Sequence, residues 1–401
     1  MKRILADIRS LFPSERRLFV TESLSWVALF LFIASLPLFT ERHLLSYIPI
    51  ALGCLFALLA FLYMLFAKRL YFPVFFAFML FFMVYAFALT CFTTKDWNSL
   101  KTMFSVLSLS AVVVEFLLLS GKPKWGLYAY AYSGIIFAIA LLIDSIPTLP
   151  GRIGSTFGNI NSIALYLSTW AVSFLALSLL GKSKKRFLYL IGAFFGLALV
   201  LLTGSRGGLL SFAFPSLGFI FFAFGRKRWP FALLTCLGIA LIGVIVLSLI
   251  PDLAIWERIG AFFSTLFGYG TIDGSVATRL NMFKDAISLF GDNAIFGYGL
   301  GGFNANTSYF TYSHATITEL LVSTGLIGTS SYLCFLGFGL NRSKFKAFAV
   351  LFILLAIPNF FFGVVYISKY FVYFFCLAAS FKDESPLFDW GKREKEAQTA
   401  D

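Results

Sequence analysis

Apolar segments of about 20 residues recur along almost the whole chain, and this repetition restricts the possible folds more than any other feature. A segment of that length is what an α-helix needs to cross the hydrocarbon core of a bilayer. Only 13% of the 401 residues are charged, whereas soluble domains have about 25%. The sequence therefore predicts an all-α polytopic membrane protein with about twelve transmembrane helices: 19–39, 44–66, 70–92, 102–120, 126–147, 160–180, 187–203, 208–224, 229–250, 315–338, 345–361 and 364–380.

The loops between these spans alternate in their content of lysine and arginine, as the positive-inside rule describes. With a cytoplasmic N-terminus, every loop on that side carries at least two of these residues, and the cytoplasmic segments hold 23 of the 32. The pattern predicts that both termini are cytoplasmic. The net charge of +13 follows from this bias and suits anionic lipid head groups, so we expect membrane lipids and no nucleic acid as partners.

The connection 251–314 is far longer than its neighbours and lies on the outer side, which marks it as a candidate functional segment. Residues 1–380, including this loop, are predicted to form one transmembrane domain, and 381–401 a cytoplasmic tail. The stretch ATRLNMFKDAISLF in the loop has helical spacing and predicts an amphipathic helix that lies on the membrane surface or packs into the bundle. Its apolar face is predicted to contain Leu280, Phe283, Ala286 and Leu289/Phe290.

Arg206 occurs in the turn TGSRGGLL, between two apolar spans. Gly204 and Gly207 permit a sharp turn, and Gly207-Gly208 would open the next helix with unblocked backbone N–H groups. A guanidinium beside a helix N-terminus is suited to bind phosphate or diphosphate. The alternative is an arginine that extends to lipid phosphate at the rim of the membrane.

His314 begins a predicted span and is one of two histidines in the chain. A helix N-terminus disfavours the imidazolium, so the ring is a candidate general base; the alternative is a capping or interfacial histidine. Gly325 and Gly328 are predicted to let another helix approach closely. Glu319 is predicted to be structural rather than the partner of His314.

Three further cations are candidates for substrate contact. Arg279 lies on the amphipathic helix, Arg152 in a Pro/Gly turn, and Lys369 inside a span near its outer end. For Arg279 the alternative is solvation of its helix, and for Arg152 it is a rigid loop. Lys369 and Glu115 are both charges within predicted spans, where such groups are often functional.

Motifs for metal or nucleotide binding are missing from the sequence. It contains no D-x-D, no H-E-x-x-H, no pair of histidines at metal-binding spacing and no Walker motif. We therefore expect neither a metal nor a cofactor. An enzyme of this kind on the outer face would need an activated donor, such as a lipid diphosphate.

Four outer-side stretches, in this order, resemble the O-antigen ligase and polymerase superfamily of bacterial inner-membrane glycosyltransferases. The resemblance extends over essentially the full length and rests on GRIGSTFGNINS, TGSRGGLLSF, TRLNMFKDAISLFGDNAIFGYGLGGF and HATITELLVSTGLIG. The chain departs from the family pattern at three positions: Ile160 and Asn293 replace prolines, and Ala315 replaces an asparagine.

The resemblance implies a membrane-embedded glycosyltransferase fold of the C type, in the inner membrane, with the active site and loop 251–314 on the periplasmic side. Arg206 and Arg279 would bind the diphosphate of an undecaprenyl-diphosphate-linked glycan, with Arg152 as a lesser contact. His314 would activate a hydroxyl of the acceptor, lipid A-core. The implied function is that of an O-antigen ligase, in a metal-independent, inverting transfer.

Three alternatives remain. Within the superfamily these are an O-antigen polymerase and a protein O-oligosaccharyltransferase, which differ from a ligase in their acceptor. Outside it, twelve spans with both ends inside also suit a flippase or secondary transporter, although no pair of broken helices in matching halves is evident.

Overall fold

The computed structural model describes residues 14–39, 47–145, 153–180, 185–224, 274–341, 346–362, 369–381 and 388–389, and the single positions 230, 234, 260 and 343. Within these ranges the chain is almost entirely helical. The helices are α1 Ser14–Phe39, α2 Tyr47–Ala67, α3 Phe75–Phe92, α4 Trp97–Ser120, α5 Pro123–Ser145, α6 Ile160–Leu180, α7 Lys185–Leu202, α8 Arg206–Phe224, α9 Gly274–Asp292, α10 Gly302–Asn306, α11 Thr316–Asn341, α12 Lys346–Phe362 and α13 Lys369–Ser380, with a 3-10 turn at Ser155–Phe157.

The predicted all-α polytopic fold is confirmed. Eleven of the twelve predicted spans overlap a described helix, and the remaining one, 229–250, lies outside the described residues apart from two isolated positions. Among the described helices, α1 to α7 and α11 are long and apolar enough to cross a membrane, and α12 and α13 contain shorter apolar segments. The division into a domain 1–380 and a tail 381–401 stays a prediction.

Helix α6 lies closest to the centre of the described bundle. In the most apolar 18-residue stretch of α6, 78% of the residues are buried. The corresponding share for α2 is 22%, and the large apolar side chains of α2 mostly face outward. Trp170 of α6 is 1% exposed, and its indole N–H donates to the carbonyl of Ala131 at 2.7 Å. Gly134 lies against the indole so closely that a β-carbon there would overlap the ring. The contact between α5 and α6 therefore depends on one large and one small residue.

Glu115, a charge within a predicted span, binds backbone N–H groups at the end of the bundle opposite to the start of α4. Its carboxylate accepts from the backbone N–H groups of Tyr71 at 2.5 Å and Phe72 at 3.3 Å. The strand β1, Arg69–Leu70, lies in the same turn and pairs antiparallel with β2, Phe388–Asp389. Glu115 thus stabilises a turn, and a part of the predicted tail is attached beside it.

Helix α11 is broken at Gly325, where φ is +58° and ψ is −164°. The break frees backbone groups that a continuous helix would pair internally, and the segment 294–299 pairs with them. The carbonyls of Val322 and Ser323 accept from the N–H groups of Tyr298 and Gly299, both at 2.8 Å. On the other side of the break, Leu326 N donates to Ala294 O at 2.9 Å. Unpaired backbone is costly in a membrane, so the break depends on this segment.

Glycines make the close approach of the two segments possible. Gly297 and Gly325 both have positive φ, and a β-carbon on either would overlap the backbone of the other segment. Gly325 thus permits a close approach, as predicted, but the neighbour is the segment 294–299 and not another helix, and Gly325 also breaks its own helix. Gly328 does face a neighbouring helix, since a β-carbon there would lie 3.2 Å from the ring of Tyr85 on α3.

We expect Gly325→Ala to destabilise the protein strongly. Backbone strain at positive φ alone costs about 1–3 kcal/mol, and the added methyl group would also displace the carbonyl of Ile295. The matched control is Gly337→Ala in the same helix, where nothing lies within 4 Å of the added carbon; it should be neutral or slightly stabilising. Thermal unfolding of both variants in detergent measures the difference. Equal midpoints would show that the break does not need a glycine.

Candidate active site

Arg206 is the first residue of α8 and follows a turn that is fixed by its neighbours. Gly204 adopts positive φ, and Ser205 caps the helix by accepting from the N–H of Gly208 at 3.3 Å. Arg206 is half-buried, and its Nη1 is shielded from solvent. A guanidinium therefore lies at the N-terminus of a helix, as the turn TGSRGGLL predicts, where the helix dipole adds to its positive potential.

The segment around Asn161 packs against this turn. Ser205 Oγ donates to Asn161 Oδ1 at 3.1 Å, and the N–H of Ile153 donates to the carbonyl of Leu202 at 3.3 Å. Two of the four outer-side stretches are thus brought together. Arg152, the cation predicted in the first of them, lies outside the described residues.

Gly208 has a different role from the one predicted. Its N–H is bonded to the cap Ser205, and its α-carbon lies so close to α6 that a β-carbon would be 2.6 Å from that of Ala164. Ser168 also donates its hydroxyl to the carbonyl of Gly208 at 2.6 Å. This glycine therefore holds α8 against α6 and does not present an open N–H group to an anion.

His314 lies in a tightly bonded turn immediately before α11. It adopts φ of +57°, which is unusual for a side chain of this size. The ring of Tyr312 lies 4.4 Å from the imidazole, centroid to centroid. Ser313, between the two, shares a 2.9 Å hydrogen bond with the hydroxyl of Thr318. The backbone around His314 is thus fixed by side chains before and after it.

Glu319 is the residue that attaches this turn to the helix. Its side chain is 2% exposed, and Oε2 accepts from the N–H of Ser313 at 2.8 Å. Oε1 receives a longer bond of 3.4 Å from Ser323 Oγ. The structure thus gives Glu319 a positioning role toward His314. A carboxylate one turn inside an apolar span needs hydrogen-bond donors. The position of Glu319 in the predicted span 315–338 therefore already indicated that it binds nearby polar groups.

Arg279 lies on α9 within electrostatic reach of His314. Burial lowers the pKa of His314 from its usual value of 6.5, and the positive charge of Arg279 lowers this pKa further. Both effects favour the neutral imidazole, the form that can accept a proton. The structure therefore places these two predicted site residues in one group. Glu319 holds the turn that carries His314 through its bond to Ser313.

The packing of α9 differs from the predicted face. Met282 and Ala286 are buried against Phe303 and Val322, with Leu289 and Phe290 partly buried beside them. Leu280 and Phe283, predicted on the same apolar face as Ala286, are 49% and 39% exposed. The helix carries apolar residues on two sides, so spacing alone could not decide which of them packs on the bundle.

Lys369 is the first residue of α13 and is half-buried. The ring of the next residue, Tyr370, lies 4.5 Å from that of Tyr166 on α6. The start of α13 is therefore packed beside α6. A role of Lys369 in substrate binding stays a prediction.

The part of the chain that contains both groups also matches a protein family. Residues 191–333 match the family model described as O-antigen ligase. This match supports membership of the O-antigen ligase superfamily. The matched part includes Arg206, Arg279 and His314, and ends before Lys369. A search of curated proteins gives no match.

The match to the O-antigen ligase family indicates the broad class of the protein. The long apolar helices and this match support a multi-pass bacterial membrane protein, and the family that matches is one of glycosyltransferase-like ligases and polymerases. Within the matched stretch, Arg279 lies within electrostatic reach of His314 and disfavours its imidazolium, and the guanidinium of Arg206 lies at the N-terminus of α8.

We expect the pKa of His314 to rise when the charge of Arg279 is removed. Arg279→Gln takes away a positive charge that disfavours the imidazolium, whereas Arg279→Lys keeps it. The chain has two histidines, so an NMR titration in a His43→Gln background reports His314 alone. The titration of Arg279→Gln should shift to higher pH, and that of Arg279→Lys should stay near the parent. Identical curves for all three proteins would mean that Arg279 does not influence the imidazole.

Proposed function

We propose that the protein is an O-antigen ligase. It transfers a preassembled polysaccharide from undecaprenyl diphosphate to a sugar hydroxyl of lipid A-core, in lipopolysaccharide biosynthesis. The observation that carries this proposal is the group formed by His314 and Arg279, because it combines a neutral base with a cation inside the stretch that matches the family.

The proposed chemistry is a single displacement. His314 takes the proton from the acceptor hydroxyl, and the hydroxyl oxygen forms a bond to the anomeric carbon of the donor. The bond from that carbon to the phosphate oxygen breaks, and its electron pair leaves with undecaprenyl diphosphate. Attack from the side opposite to the leaving group inverts the anomeric configuration.

In this proposal the two arginines stabilise the diphosphate. Negative charge grows on the leaving group as the bond breaks, and fixed cations are most effective where charge develops. Arg206 is suited to this task because its guanidinium and the N-terminus of α8 are positive at the same place. Arg152 and Lys369 are proposed as lesser substrate contacts. The reaction is proposed to need no metal.

The proposed site faces the periplasm of the inner membrane, with both termini in the cytoplasm. The support is the distribution of lysine and arginine, with 23 of 32 in the segments assigned to the cytoplasmic side. The start of α8 and the segment 274–314 would then lie on the periplasmic side, where both lipid-linked substrates can reach them from the bilayer.

The lipopolysaccharide profile of a deletion strain tests the proposed function. Without a ligase, the gel should show lipid A-core without O-chains, while the polymer accumulates on its lipid carrier. The wild-type gene should restore the O-chain ladder, and the His314→Ala gene should not. Core with a single repeat unit would instead identify a polymerase, and an unchanged profile would exclude both functions.

Kinetics of purified variants should separate the roles of Arg206 and His314. Arg206→Lys keeps the charge but loses the two-pronged geometry of the guanidinium, so transfer should slow by about 10²–10³ with weaker donor binding. His314→Ala should bind the donor normally and slow transfer by about 10²–10⁴.

Donor affinity and single-turnover transfer in nanodiscs measure the two effects. Arg186→Lys is the matched control for Arg206→Lys. Arg186 lies at the start of α7, at the end of that helix far from Arg206, and donates to the backbone carbonyl of Ser178 on α6. If His314→Ala abolished donor binding but turned over normally at saturation, the histidine would be a ligand contact and the assigned mechanism would be wrong.

A further inference from the structure

An open surface depression of about 310 Å³ lies between α9 and the segment 306–309, and His314 is not among the residues that line it. This volume is at the lower end of the range for small-molecule sites, about 300–1,000 Å³. The residues that line it are mostly polar: Asp285, Ser288, Leu289, Asn306, Thr307, Ser308 and Tyr309. We name it the Asp285 pocket.

The polar groups of the Asp285 pocket suit a neutral ligand with many hydroxyl groups. The lining offers a carboxylate, an amide and several hydroxyls, which together can both donate and accept hydrogen bonds. The lining includes no lysine or arginine, so an anionic ligand such as phosphate would meet only the charge of Asp285. One carboxylate is also too little for a hard cation, which takes six or more oxygen ligands. A sugar residue fits these properties, because its rim carries hydroxyls and its faces carry C–H groups.

The lining side chains are held in place by their neighbours. Tyr309 donates its hydroxyl to Asp285 Oδ2 at 2.8 Å, and its ring stacks on that of Phe303 with an angle of 5° between the planes. Asn306 donates from Nδ2 to Gly302 O at 2.7 Å. These bonds engage one oxygen of Asp285 and the amide nitrogen of Asn306. The second carboxylate oxygen of Asp285 and the amide oxygen of Asn306 remain acceptors, and the side chains that are already held by these bonds need less ordering when a ligand binds.

The position of the pocket connects it to the proposed reaction. Asp285 follows Arg279 by six residues on the same helix, which is about 9 Å along the helix axis. Six residues also place Asp285 about 120° round the helix from Arg279, so a glycan whose reacting sugar lies between Arg279 and His314 would extend along α9 and partly round it. Its neighbouring sugars would reach the Asp285 pocket.

We propose that the Asp285 pocket binds a sugar residue of a glycan substrate, away from the bond that is formed. The proposal rests on the proposed function for the kind of substrate, and it assigns the pocket to binding rather than to chemistry. The glycan belongs either to the lipid-linked donor or to the lipid A-core acceptor, and the shared chemistry is that of a neutral sugar.

Binding of two lipid-free oligosaccharides to the full-length protein in nanodiscs tests this proposal. The probes are the core oligosaccharide and the O-chain oligosaccharide, both released from the lipopolysaccharide of the source strain. We expect one probe to bind wild-type protein and to lose at least about tenfold in affinity in Asp285→Ala, because a charged hydrogen-bond partner is removed. The probe that binds shows whether the pocket serves the acceptor or the donor.

Two further variants and one control make the result specific. Asp285→Asn keeps the shape of the side chain and Tyr309→Phe keeps the ring, so each should fold even if Asp285→Ala does not, and each should bind more weakly than wild type. Asp292→Ala removes an exposed carboxylate from the end of the same helix, outside the pocket, and should bind as wild type does. In transfer assays, Asp285→Asn should raise KM for one substrate and leave kcat nearly unchanged.

The outcomes distinguish this proposal from the proposed function. If wild-type protein bound neither probe, or if Asp285→Asn and Tyr309→Phe bound both as tightly as wild type, the pocket would not be a sugar site, even for an active ligase. If binding depended on Asp285 but the deletion strain kept a normal profile, the pocket would remain a sugar site and the assignment as a ligase would be wrong.

Discussion

The arrangement of the site depends on one constraint, the need to pair every backbone polar group within a membrane-spanning helix. Helix α11 breaks at Gly325, and the break would leave carbonyl and N–H groups unpaired in an apolar environment. The segment 294–299 supplies the missing partners on both sides of the break. This segment is continuous with α9 through Asn293, whose side chain donates to Gly297 O at 2.7 Å. The hydrogen bonds that pair the freed backbone groups of α11 therefore also fix the end of α9.

Fixing α9 in this way determines where Arg279 lies relative to His314. Both residues are attached to α11. Arg279 is attached through α9 and the segment 294–299, and His314 through the turn that Glu319 holds. The buried contact of Met282 and Ala286 with Val322 adds a second attachment of α9 to the same helix. The electrostatic influence of Arg279 on His314 thus depends on backbone hydrogen bonds at a distance from both side chains.

The sequence predicted the features that depend on composition and spacing. Apolar runs located eleven spans that the structure describes as helices, and the glycine turn and the start of a span located Arg206 and His314 beside helix N-termini. Features that depend on tertiary contacts were missed. The G-x-x-G spacing of Gly325 and Gly328 is also typical of helix contacts, so it could not reveal that Gly325 breaks its helix. The two apolar sides of α9 gave no basis for choosing Met282 over Leu280. The Asp285 pocket joins residues from two elements, and spacing within either element does not indicate it.

The position of Arg206 favours binding over stability. The N-terminus of a helix is stabilised by anionic side chains and destabilised by cations, yet α8 begins with an arginine and has no acidic residue in its first turn. Its cap, Ser205, is neutral and is held by Asn161, so the turn is rigid. An anionic ligand would compensate the unfavourable interaction of the cation with the helix dipole. In the proposed mechanism, a rigid positive site of this kind needs little reorganisation when a diphosphate binds and when charge grows on it during transfer.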